Sequence, residues 1–199
     1  MKICIYIILL CSSFVSRSQE LFDIEKAGIA KEIEELNSLI AQSPSAENYY
    51  YRGFYNYENE NYFDALSDYD KALSLTPNDY RIYFSRGNLN MKLKNYQLAI
   101  DDYTKCVSLK DSLPKAYFNR AYSKSKSNDL KGAINDYSKS ITLNPEYLEA
   151  YENRGLLKKE LNLHKEAILD FDKAIKINPK FVEAFQNRAI SKAMLNLKD

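Results

Sequence analysis

The chain has 199 residues and a mass of 23.1 kDa, with 28 Lys plus Arg against 27 Asp plus Glu. Aromatic residues are 17 Tyr and 9 Phe without Trp, and there are one His, 5 Gly and 5 Pro. The charge balance excludes a simple polyanion binder, and the 45% apolar share excludes a disordered chain. So few turn residues disfavour an all-β fold, and three Cys make no disulfide framework.

Residues 1–18 read as an export signal. Lys2 gives the positive start, Ile3 to Leu10 the apolar run, and Ser16 and Ser18 the small residues before cleavage after Ser18. The run is shorter than the ~20 apolar residues of a membrane span, which weighs against an uncleaved anchor. A lipoprotein site at Cys11 is disfavoured because Leu10 stands where such sites resemble one another in having a small residue. Cleavage removes Cys4 and Cys11 and leaves Cys106. The expected location is periplasmic, secreted or envelope-associated.

Residues 20–45 predict an N-terminal capping helix with Ile29, Ile33, Leu36 and Ile40 on one face. From Ala46 the chain matches itself at a shift of 34 residues, giving full copies at 46–79, 80–113, 114–147 and 148–181 and a partial one at 182–199. Position four of each copy is aromatic: Tyr49, Tyr83, Tyr117, Tyr151 and Phe185. Position eight is small: Gly53, Gly87, Ala121, Gly155 and Ala189. Position twenty is Ala65, Ala99, Ala133 and Ala167; position twenty-four is Tyr69, Tyr103, Tyr137 and Phe171; position twenty-seven is Ala72, Cys106, Ser140 and Ala174. Pro77, Pro145 and Pro179 close three copies.

In the second half of each copy these residues recur at spacings of three and four, one face of a helix. Asn61, Asn95 and Asp129 are expected as N-caps, with Leu163 at that place in the fourth copy, and Pro114 fits a first helical position. A helix of about 14 residues is marginal alone, so the copies must stack to bury their stripes.

Period and pattern resemble the tetratricopeptide repeat over residues 46–199, about three quarters of the chain. The resemblance implies an all-α fold, a right-handed solenoid of antiparallel helix pairs, with residues 182–199 as a half repeat or C-terminal capping helix. The chain departs from the family pattern by Arg at position seven, by the lack of Tyr at position eleven, and by Asp111 where the second copy lacks its Pro.

Arg at position seven (Arg52, Arg86, Arg120, Arg154 and Arg188) recurs with Asp at position twenty-three (Asp68, Asp102, Asp136 and Asp170). A helical hairpin places these on facing helices. The planar fork of Arg suits a carboxylate, so structural ion pairs within each copy are expected, in preference to a ligand ladder.

By resemblance, the first helices line a concave groove through positions two, five, six, nine, twelve and thirteen. Partner-binding candidates there are Tyr50, Phe54, Arg81, Phe84, Asn88, Lys92, Lys115, Phe118, Asn119, Tyr122 and Lys126. Rings supply apolar area with polar tips and the cations supply orientation, which suits an extended peptide bearing acidic and aromatic or apolar groups. The opposing expectation is that several rings pack between helices and the charges are merely solvated. Some relatives hold a chaperone C-terminal carboxylate in a clamp; Asn88 and Asn119 match its two Asn positions. Phe84, Glu149 and Asn153 replace its cations, which makes that clamp improbable.

No catalytic motif emerges. His164 falls at a packing position, Cys106 has no second ligand at metal spacing, and Gly28 and Gly132 belong to no phosphate loop. Neither cofactor, metal, nucleic acid nor small-molecule substrate is expected. Residues 20–79 carry four Lys plus Arg against thirteen Asp plus Glu, and residues 80–199 carry twenty-two against fourteen, so the net balance conceals a dipole that favours weak self-association at low salt. The expected function is a non-catalytic protein-interaction scaffold; the alternative is a structural spacer in an envelope complex.

Overall fold

The computed structural model describes residues 26–196, and among them the only regular elements are helices. The export signal, Cys4 and Cys11 lie outside the described residues, as do residues 20–25 and 197–199. Residues 26–42 form α1. The rest are α2 (Ala46–Glu58), α3 (Tyr62–Leu75), α4 (Tyr80–Lys92), α5 (Tyr96–Leu109), α6 (Pro114–Lys126), α7 (Leu130–Leu143), α8 (Leu148–Glu160), α9 (His164–Ile177) and α10 (Val182–Met194). Each even-numbered helix thus starts 34 residues after the last. None of the described helices is long and apolar enough to cross a membrane.

The described residues divide into two compact units, one up to Pro77 and one from Asn78 onwards. In the first, α2 packs against α3, and α1 presents Leu36 and Ile40 as its buried positions, with Ile29 and Ile33 half-buried. In the second, α4 to α10 pack each against the next, while among the first helices α4 also touches α6 and α8 touches α10.

The repeated small and aromatic positions explain this packing. Ala65, Ala99, Ala133 and Ala167 are fully buried, and Tyr69, Tyr103, Tyr137 and Phe171 nearly so. Position eight must be small because the ring of position twenty-four lies against it: a Cβ on Gly87 would stand 2.8 Å from the Tyr103 ring, and one on Gly155 2.8 Å from Phe171. Cys106, Val107, Ala116 and Tyr117 form one core cluster, and Ala121, Ala133, Tyr137, Ile141, Ala150 and Tyr151 belong to another. Ser140 joins the core by donating its hydroxyl to the Pro114 carbonyl at 2.9 Å.

One expectation is corrected. Asn61 and Asn95 precede α3 and α5 but make no side-chain cap, whereas Asp129 caps α7 by accepting from the Gly132 N–H at 2.9 Å. The turn within each copy instead depends on a residue of positive φ: Glu60, Lys94, Asn128, Asn162 and Asn196 lie between 54° and 66°. Only the three Asn are suited to that region. The rings of position four differ in burial: Tyr117 and Tyr151 are buried, Tyr49 and Tyr83 half-buried, and Phe185 exposed.

Candidate functional site: the inner helix faces

The recurrent Arg and Asp are joined within every full copy. Arg52 donates Nη2 to Asp68 at 2.5 Å, Arg86 to Asp102 at 2.6 Å, Arg120 to Asp136 at 2.7 Å and Arg154 to Asp170 at 2.5 Å, each with Nε as a second donor. The hydrogen bonds it donates to Asp68 hold the Arg52 guanidinium above its ordinary pKa. All four aspartates are buried.

Sequence reasoning missed the remaining members of these networks. Position eleven, where the family's Tyr is absent, supplies a further donor: Asn56 to Asp68 at 3.0 Å, Asn90 to Asp102 at 2.9 Å, Lys124 to Asp136 and Lys158 to Asp170 at 2.8 Å. The placement of Asn or Lys four residues after each Arg was visible as a pattern, since i and i+4 share a helix face. The Arg also reaches backwards. Arg120 Nη1 donates to Thr104 at 3.2 Å, Arg154 to Ser138 at 2.9 Å and Arg188 to Asp172 at 2.8 Å, tying each copy to the one before it. Each Arg further lies over the position-four ring of its own helix, 5.3 to 5.7 Å from its centre. Groups so deeply committed to internal contacts form a structural frame and leave recognition to other side chains.

Those other side chains form stripes on the first helices. On α6, Lys115, Phe118, Tyr122 and Lys126 follow spacings of three and four residues and share one face; on α4 the same register holds Arg81, Phe84, Asn88 and Lys92. Tyr50 and Phe54 hold this register on α2 in the first unit. The position-five rings are half-buried. Phe84 sits edge-on to Tyr103 at 6.0 Å, and Phe118 lies edge-on to Tyr137 at 5.4 Å and stacked on Tyr147 at 4.8 Å. Tyr50 touches Tyr51 and Tyr69, and Phe54 is more exposed, edge-on to Tyr55 at 5.6 Å. Burial raises the Tyr137 phenol above its ordinary range, so this floor stays uncharged.

The cations differ from one another. Arg81 is gripped by the α4 N-cap Asp79, with Nη2 to Oδ2 at 2.7 Å, and that contact holds the Asp79 carboxyl below its ordinary value. It is therefore already paired within its own helix. Lys92, Lys115 and Lys126 are exposed, with Lys126 lying 5.2 Å from the centre of the Tyr122 ring. Asn88 and Asn119 are bound to each other: the Asn88 carbonyl accepts from Asn119 at 2.9 Å and from the Tyr103 hydroxyl at 2.7 Å. They bridge α4 and α6.

His164 is buried at the start of α9, and its Nδ1 has no partner among the described residues. Burial pushes the Cys106 thiol up to about 11. Among the described residues no group of three or more His, Cys, Asp or Glu could hold a metal ion.

Models of the tetratricopeptide repeat match residues 46–79, 80–112 and 148–181, and a further model described as TPR repeat matches 125–162, together more than half of the chain. No curated protein matches it. Among solved structures, that of the MamA protein is 25% identical over 76% of this chain and 83% of that one, with a TM-score of 0.74. A tetratricopeptide repeat protein from Parabacteroides merdae is 26% identical over 76% of this chain and 60% of that one, with a TM-score of 0.71. The first repeat domain of Spaghetti (RPAP3), solved bound to the HSP90 peptide SRMEEVD, is 26% identical over 59% of this chain and 93% of that one, with a TM-score of 0.57. The chain belongs to the tetratricopeptide repeat family, an all-helical scaffold for protein–protein interaction.

Proposed function

We propose that the second unit binds an extended peptide with acidic residues around an aromatic or apolar anchor, on the face where α4 and α6 lie side by side, without catalysis. The observation that carries this reading is the α6 stripe, in which exposed Lys115 and Lys126 flank the half-buried rings of Phe118 and Tyr122. Half-buried rings offer apolar area with little side-chain entropy left to lose, and the lysines steer and orient an anion. The acidic peptide on the Spaghetti domain supports a ligand of this class. The chaperone clamp itself is disfavoured, because Asn88 and Asn119 are spent on each other and Phe84 stands where its cation would be.

Charge and anchor can be separated by experiment. A labelled peptide with three Glu around a Phe, titrated by fluorescence polarisation, is expected to lose about tenfold in affinity on K115E/K126E and to weaken with salt. Equal affinity for the wild type and that variant sinks the reading. Removal of Lys92 gives a smaller loss, and so does Arg81→Ala, which takes away one positive charge and leaves the Asp79 carboxylate uncompensated. We also propose export of the chain, on the strength of Lys2, the run Ile3 to Leu10, and Ser16 and Ser18. Amino-terminal sequencing of the mature protein tests it; an intact Met1 refutes cleavage.

A further inference from the structure

α10 is a first helix that no second helix follows among the described residues. It packs on α9 and touches α8, burying Ala184 and Ser191, and it ends in the same turn as the other first helices, with Asn196 at φ 54°. Its opposite side is open. Position eight is buried in every full copy, at Gly53, Gly87, Ala121 and Gly155, whereas Ala189 at that position is exposed. In the full copies the ring of the second helix lies there, as Tyr103 does on Gly87 and Phe171 on Gly155. Phe185 is 40% exposed, against 9% for Tyr117 and 8% for Tyr151 at the same position of the two preceding copies, and Val182 one turn before it is exposed as well.

Arg188 adds a charge requirement to this apolar face. Its Nη1 donates to Asp172 at 2.8 Å, and its guanidinium lies 5.3 Å from the centre of the Phe185 ring. Arg120 and Arg154 are anchored in the same two ways, by Thr104 and Ser138 and by the rings of Tyr117 and Tyr151. In those two residues Nε and Nη2 then grip the Asp of the second helix. In Arg188 the same two donors bond to no other described residue. The fork is thus held ready for a carboxylate, which it binds through two parallel N–H groups.

The chain itself shows four times what covers such a face. Each second helix carries Ala, then Asp at i+3, a ring at i+4 and a small residue at i+7, as in Ala167, Asp170, Phe171 and Ala174 of α9. A helix of that pattern sets its ring against Ala189 and its carboxylate on Arg188. A second copy of the folded chain has none to offer, because in α3, α5, α7 and α9 the Ala, the Asp and the ring are already buried in their own hairpins.

We infer that α10 docks an amphipathic helix of a different protein chain, with Ala, Asp, Phe or Tyr, and a small residue at i, i+3, i+4 and i+7, which completes a fifth repeat in trans. This surface lies on the last helix of the second unit and does not use the stripe of Lys115 and Lys126.

The probe is a fluorescein-labelled peptide with the sequence of residues 163–178, capped at both ends. A lactam between its Asp172 and Lys176, both exposed in α9, lets so short a helix form in isolation. Titrated with the full chain and followed by fluorescence polarisation, the peptide is expected to bind. It should lose about tenfold in affinity when Asn replaces its Asp170, and at least as much when Ala replaces its Phe171. On Arg188→Gln the peptides with Asp and with Asn bind alike. Ala189→Arg, a substitution at an exposed position that leaves the melting temperature unchanged, removes binding. Absence of binding overturns the inference, and so does binding that Ala189→Arg leaves intact, since the peptide then exchanges with a helix inside the fold. Sedimentation velocity tests the remaining occupant: a dimer of the wild type that Ala189→Arg dissolves puts a second copy on α10 and overturns the partner helix.

Discussion

Asp170 offers the most direct test of the internal frame. Its side chain is 4% exposed and accepts Arg154 Nη2 at 2.5 Å and Lys158 Nζ at 2.8 Å, from donors that are 16% and 14% exposed. Removing one partner of a buried pair costs about 3–5 kcal/mol, because a charge is left without its counterpart. Asp170→Ala strands two cations. Both heads retain some water, and Arg154 keeps Ser138 at 2.9 Å and the Tyr151 ring, so about 3 kcal/mol is expected. Arg154→Ala leaves Lys158 to neutralise the carboxylate and costs about 2 kcal/mol. With the double variant expected to cost about 4 kcal/mol, the coupling between Arg154 and Asp170 is about 1 kcal/mol in the wild type, and rises to about 2 kcal/mol in a Lys158→Met background, where Arg154 is the only cation left to Asp170 in this network. Urea unfolding followed by far-UV circular dichroism measures the wild type and the seven variants, with a constant slope as the check that the transition stays cooperative. Coupling below about 0.5 kcal/mol in both backgrounds, or coupling that falls when Lys158 is removed, refutes the shared-carboxylate network.

Lys94 has φ 62° where the next two copies have Asn128 and Asn162, so Lys94→Asn is expected to stabilise the chain by about 1 kcal/mol in the same assay; a loss of stability counts against backbone strain there. Cys106 is buried with its thiol raised to about 11, so iodoacetamide should label the native protein no faster than urea opens it, and rapid native labelling contradicts the packing. Glu152 supplies a pH test with a defined sign. Its carboxyl is raised in the folded state, so folding favours the protonated form, and wild-type stability falls as pH rises from the ordinary value of 4.5 through the raised one. Glu152→Gln removes that loss: the variant is the more stable at neutral pH and the advantage vanishes in acid. An advantage independent of pH points to packing in place of charge.

The proposed export of the chain and the identity of its partner rest on different kinds of information from the fold. The solenoid was legible because its rule is repeated: Ala at position twenty, a ring at twenty-four and a small residue at eight each recur on a fixed spacing, and spacing alone assigns a helix face. The Arg and Asp pairs were legible for the same reason. Asn61 and Asn95 misled, because a capping residue type at the right place does not ensure a capping rotamer, and the turn is set by the positive φ of Glu60 and Lys94 just before them. The pairing of Arg81 was also hidden. Asp79 lies two residues away and belongs to the cap of the same helix, a local contact that repeat arithmetic does not weigh.

By itself the sequence determined the helical repeat, its boundaries in register, and which charges alternate along the first helices, since these follow from periodicity and composition alone. Tertiary structure decided how the polar groups are spent. Position eleven reaches the buried Asp of the second helix, Asn88 closes on Asn119, and Asp79 holds Arg81, while Lys115, Lys126 and Glu152 enter no ion pair among the described residues. Residue type states only what a side chain can bond to; distance and burial determine which bond it makes, and those arise when separate helices meet.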